Sequence, residues 1–132
     1  MKIDWLAALL LLSFFAMPDA SAKDRPGPRI YSNVQYIEEA GDLIGVELEL
    51  TISHSQVTGL LKLYEGDCAN PITVNGNLQG RRLHLSGTSG YFGKQEIDAT
   101  IVEANLEGTL SVGKTHAEKI ILKRVSQPHC SF

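Results

Sequence analysis

The sequence predicts an all-β domain: a small antiparallel up-and-down barrel of about eight strands, tied by one disulfide. Three observations carry this prediction. Apolar residues recur at every second position, short turn-rich segments separate the runs, and the only two cysteines lie 62 positions apart in a chain of 132 residues. Hydrophobic residues make up 43% and charged residues 20%, which fits one small folded domain and excludes a disordered chain. Lys plus Arg is 12 and Asp plus Glu is 15, a net charge of −3. With an isoelectric point near 5.8 the chain is a poor candidate for nucleic-acid binding, which usually needs a basic face.

The first segment reads as an address. Lys2 precedes a 13-residue run from Trp5 to Met17 that is apolar apart from Ser13, and Ala20-Ser21-Ala22 offers a small-x-small cleavage site. As a helix that run reaches only about 20 Å of a ~30 Å hydrocarbon core, too short for a membrane span. Residues 1–22 are therefore expected to be a secretory signal peptide, leaving 132 − 22 = 110 residues with no membrane segment after cleavage. Residues 23–29 are charged, broken by Pro26 and Pro28, and read as a flexible leader to a single barrel domain over 30–132.

Strands are expected near 30–38, 43–53, 56–64, 71–76, 79–86, 92–102, 105–112 and 117–125. The clearest is the third decade of the mature chain. Ile44, Val46, Leu48, Leu50 and Ile52 alternate with Gly45, Glu47, Glu49, Thr51 and Ser53. Ile97, Ala99 and Ile101 repeat the pattern, as do Leu106, Leu110 and Val112. Val57, Leu61 and Leu63 share a face with Lys62 opposite. Expected turns include Ala40-Gly41-Asp42, Ser53-His54-Ser55, residues 65–71, Asn75-Gly76-Asn77, residues 86–90, Glu103-Ala104-Asn105 and Gly113-Lys114. These links are too short for crossover helices, so neighbours pair antiparallel. Asx-Leu-x-Gly recurs at 42–45, 77–80 and 105–108, each expected to begin a strand. Closure into a barrel removes exposed edges and suits hairpin links; a β-sandwich is the alternative.

Cys68, in a turn-rich loop, and Cys130, near the C-terminus, are expected to form the disulfide, as in a secreted or periplasmic protein. His129 beside Cys130 does not make a metal site, because two ligands without a partner pair cannot complete one.

The remaining question is chemistry. The single Trp, Trp5, leaves with the signal, so the mature barrel lacks the aromatic that marks many calyx-type binders. Its Leu, Ile, Val and Ala side chains suit a filled interior. Residues 86–94 stand out, with three glycines and three hydroxyl residues around adjacent aromatics. A projecting loop would present Tyr91 as an anchor, with Ser86, Ser89, Phe92 and Lys94 as candidate contacts. The loop loosely resembles the Ser-Gly-x-x-Tyr inhibitory loop of periplasmic lysozyme inhibitors. It departs from that spacing: Ser86-Gly87 is one residue too far from Tyr91, and Ser89-Gly90 two too close.

No Gly-x-Ser-x-Gly, His-Glu-x-x-His or phosphate loop occurs, so neither an enzyme nor a cofactor is implied. His54, His84, His116 and His129 are each expected in solvent. Glu47 and Glu49 share an outer strand face and are expected to pair with Arg81, Arg82, Lys119, Lys123 or Arg124. The functional expectation is a non-enzymatic exported barrel that binds a partner protein through the 86–94 loop. Carriage of a small apolar ligand inside the barrel and inhibition of a cell-wall hydrolase are the alternatives.

Overall fold

A computed structural model describes residues 27–114 and 116–130. The expected signal peptide and most of the leader lie outside the described residues. Among those described there are nine strands and no helix: β1 (Arg29–Ser32), β2 (Gln35–Ile37), β3 (Asp42–Ser53), β4 (Gln56–Gly66), β5 (Ile72–Gln79), β6 (Arg82–Ser89), β7 (Gly93–Val102), β8 (Asn105–Val112) and β9 (Glu118–Val125). From β3 onward each strand pairs antiparallel with the next. β1 closes the circle by pairing with both β3 and β9, giving an eight-strand barrel with β2 as an extra strand. The sandwich is thereby excluded.

β1 and β2 are the single expected strand 30–38, interrupted. Both lie along β3, β1 against residues 47–50 and β2 against 42–44. Between them the Asn33 side chain accepts a hydrogen bond from the Val46 amide at 2.7 Å, and the Asn33 amide donates to the Val46 carbonyl at 3.0 Å. Gly45 faces this break at φ 138°, where a Cβ would stand 2.7 Å from Asn33 Oδ1.

The period-two pattern sorts the wall into two faces. Inward, fifteen side chains that include Tyr31, Leu48, Leu50, Leu61, Leu85, Ile97, Leu106 and Leu122 form one buried cluster. Val46, Ile52, Leu63, Leu78, Phe92 and Val112, partly buried, pack against that cluster. Burial of this order, at ~25 cal/mol per Å² of apolar surface, is the main force closing the sheet.

Two expected turns are strand instead. Asn75-Gly76-Asn77 lies inside β5, and the chain reverses later, at Gly80 with φ 61°. Gly76 is there for a different reason: a Cβ would stand 1.7 Å from the His84 carbonyl oxygen on β6. The glycine lets two strands press together where the wall bends. Residues 86–89 likewise belong to β6, and only 90–92 form the turn. The Asx-Leu-x-Gly segment at 77–80 accordingly ends a strand, while those at 42–45 and 105–108 begin one.

The connections fall at two ends. Residues 38–41, 67–71, 90–92, 113–114 and 116–117 cluster at one, here the mouth; residues 54–55, 80–81 and 103–104 lie at the other, the base. The disulfide joins Cys68 at the mouth to Cys130, with a Cα–Cα distance of 5.9 Å. That bridge is consistent with an extracellular or periplasmic protein.

Candidate functional site

The mouth carries the most exposed aromatic of the described residues. Ser89 and Gly93 pair at the ends of β6 and β7, leaving a three-residue turn with Gly93 at φ 75°. A left-handed residue after a short loop is how such a hairpin keeps its strands in register. The Phe92 amide donates to Ser89 Oγ at 2.9 Å. Gln95, fully buried on β7, donates through Nε2 to the Gly93 carbonyl at 2.8 Å and to the same Ser89 oxygen at 3.3 Å. Gln95 Oε1 has no partner among the described residues. The hairpin is tied down at its root, so it is a tight tip rather than a long mobile arm.

On that tip Tyr91 is 87% exposed, its ring edge-on to Phe92 with centroids 4.7 Å apart. Phe92 is half-buried and separates two cavities. One, of about 420 Å³, lies between the Tyr91 hairpin and the disulfide loop; Leu63, Ile72 and Pro71 line it, with Glu65 and Asp67. The other, of about 440 Å³, is lined by Ile44, Val46, Leu63, Leu110 and Val112, with Glu65 and Glu118.

Of the five candidate contacts, Tyr91 and Phe92 stand at the tip and Ser89 holds its root. Ser86 sits on β6, paired with Asn75 and Glu96, three residues below the turn. Lys94 is exposed on β7 opposite Thr88. Sequence reasoning missed Ile44, Glu65 and Glu118. Each lies within the first or last three residues of a strand at the mouth, so strand ends rather than the loop alone were the signal.

A second constellation lies on the outer wall and corrects two expectations. Glu47 is outward-facing but 0% exposed, because the tail that follows β9 runs across it. Glu47 and Glu49 face Lys62 of the adjacent strand, at 3.7 and 3.6 Å, not the basic residues elsewhere on the barrel. His129 is not free in solvent: its ring Nδ1 is 2.7 Å from Glu47 Oε2, and its amide donates to both carboxylate oxygens at 3.2 and 3.3 Å. Lys62 donates to the Cys130 carbonyl at 3.1 Å. Tyr64 donates to Glu47 Oε1 at 3.4 Å, and burial, with the Glu47 charge beside it, pushes its phenol up to about 12. These groups hold the tail to the wall, with Glu47, Lys62 and Tyr64 buried beneath it.

The other histidines follow expectation. His54 and His116 are exposed, and His84 is partly exposed on β6, 2.5 Å from Asp98 and 3.8 Å from Glu96. It borders a polar depression of about 340 Å³ that Arg82 and Glu107 also line. No group of three His, Cys, Asp or Glu among the described residues could hold a metal ion.

Compared with known protein families, curated proteins and solved structures, the chain matches none.

Proposed function

We propose that this protein is an exported, non-enzymatic binding module that grips a partner protein with the mouth of its barrel. One observation carries the reading: an almost fully exposed tyrosine stands on a hydrogen-bonded hairpin between two cavities with apolar floors. Tyrosines in such settings dominate binding energies at protein interfaces, since a rigid ring loses little entropy on contact. The cluster of fifteen buried side chains inside the barrel supports contact at the mouth rather than carriage of a ligand deep within. The expected signal at 1–22 and the disulfide support a secreted or periplasmic location.

The test begins with a photo-crosslinking amino acid at position 91 in the producing cell, and the same residue at Arg81 on the base as control. The partner that crosslinks only from position 91 is purified and titrated with the native protein and with Tyr91→Ala. The variant should bind at least about 30-fold more weakly, ~2 kcal/mol, with an unfolding midpoint close to that of the native protein. Equal affinity for the two would end the proposal. A small molecule retained in native mass spectrometry would favour the carrier reading. Loss of lysozyme activity on titration with this protein would identify the partner as a cell-wall hydrolase.

A further inference from the structure

Leaving aside Glu47, Glu49, Lys62, Glu96 and Asp98 on the wall, the described charges near the two ends of this barrel differ in sign. At the mouth, Glu38, Glu39, Asp42, Glu65, Asp67 and Glu118 stand against Lys94, Lys114 and Lys119, so 3 − 6 = −3. At the base, Arg29, Arg81, Arg82, Lys123 and Arg124 stand against Glu103 and Glu107, so 5 − 2 = +3. The sorting reaches into the cavities themselves. Glu65 borders both, Asp67 one and Glu118 the other, and no Lys or Arg is among their described lining residues. An apolar floor with carboxylates at its rim offers two complementary contacts at once. Summed potentials of one sign around a concave, low-dielectric site also concentrate an oppositely charged partner before contact.

We infer that the mouth receives a basic protein segment, an apolar side chain seated beside Phe92 and flanking lysine or arginine side chains on Glu65 and Glu118. The inference rests on the reading of the mouth as the binding end and names the chemistry of what binds there. An acidic or uncharged segment would meet uncompensated carboxylates, which makes the same groups a filter against wrong partners.

Three labelled peptides test it by fluorescence anisotropy: Lys-Arg-Phe-Arg-Lys, Lys-Arg-Gly-Arg-Lys and Glu-Asp-Phe-Asp-Glu. Each is titrated with the disulfide-bonded protein at about 0.01 M and about 0.15 M ionic strength, where the screening length is about 30 and 8 Å. The first peptide should bind best, and more tightly at low salt. Glu65→Gln with Glu118→Gln should weaken it about tenfold, whereas Arg81→Gln with Arg82→Gln should not. Absence of binding, equal binding of the acidic peptide, or indifference to the paired Glu variants overturns the inference. So does self-association abolished by the paired Arg variants, which would mean that the acidic mouth meets the basic base of another copy. A crosslinked partner from position 91 that is acidic and insensitive to salt overturns this inference while leaving the binding end in place.

Discussion

Glu47 and His129 lie 82 positions apart, yet the carboxylate of one accepts hydrogen bonds from the backbone and the ring of the other. A strand residue that alternation points outward is thus sealed as deeply as the core. The contact fixes where the tail lies and brings Cys130 to Cys68, at the edge of the cavity beneath Tyr91.

Lys62 supplies the cation that makes burial of Glu47 tolerable. Lys62→Met should lower stability by about 3–5 kcal/mol, because it leaves a charged carboxylate buried without its counter-ion. Adding Glu47→Gln should restore part of that loss, so the double variant is more stable than Lys62→Met alone. Urea unfolding of the single and double variants measures this, and strict additivity would contradict the ion pair's role.

Tyr64 sets an alkaline limit. Its phenol titrates near 12 in the folded protein against 10 in the unfolded chain. Below pH 10 both states keep the proton and its contribution is fully present. Between pH 10 and 12 the unfolded chain loses the proton first, so stability falls across that window, by on the order of 2 kcal/mol. Tyr64→Phe should remove this slope, read from denaturant midpoints at stepped pH.

The disulfide closes a separation of 62 positions. Cys68→Ser with Cys130→Ser should cost about 4 kcal/mol on the chain-entropy model. The native protein should weigh two mass units less than its reduced form and resist alkylation until reductant is added. Ready alkylation of both thiols would refute the bridge.

Gly76 distinguishes crowding from turn-making. Gly76→Ala places a methyl group on the His84 backbone and should cost about 3 kcal/mol, at the upper end for overpacking. Gly90→Ala, where an added Cβ meets nothing within 4 Å, should stay within about 0.5 kcal/mol. Thermal midpoints of the two variants settle the comparison. Similar losses would mean that Gly76 serves backbone conformation rather than close approach.

The candidate site was partly legible. Tyr91 was marked by two adjacent aromatics among glycines and hydroxyl residues, a combination that suits an exposed turn. Ser86 was drawn in by the same composition, but hydroxyl and glycine residues also suit a strand pressed against its neighbour, and there β6 continues. The Glu47 cluster was less legible, because strand parity gives a side chain's direction and not what covers it. Cys68 and Cys130 held the missing clue: a tail bridged to the loop after β4 has to pass over the outer face of the neighbouring strands.

By itself the sequence determined the all-β class, the inward and outward faces, the antiparallel neighbours and the disulfide. Each of these follows from local rules: a side-chain period of two, turn chemistry, and the scarcity of cysteine. Tertiary structure alone decided that the barrel closes through β1, that Glu47 is buried under the tail, and that the mouth is acidic with cavities on either side of Phe92. Those features join residues dozens of positions apart, and such proximity is set by how the sheet curls and where the tail lands. No local pattern of residues encodes either.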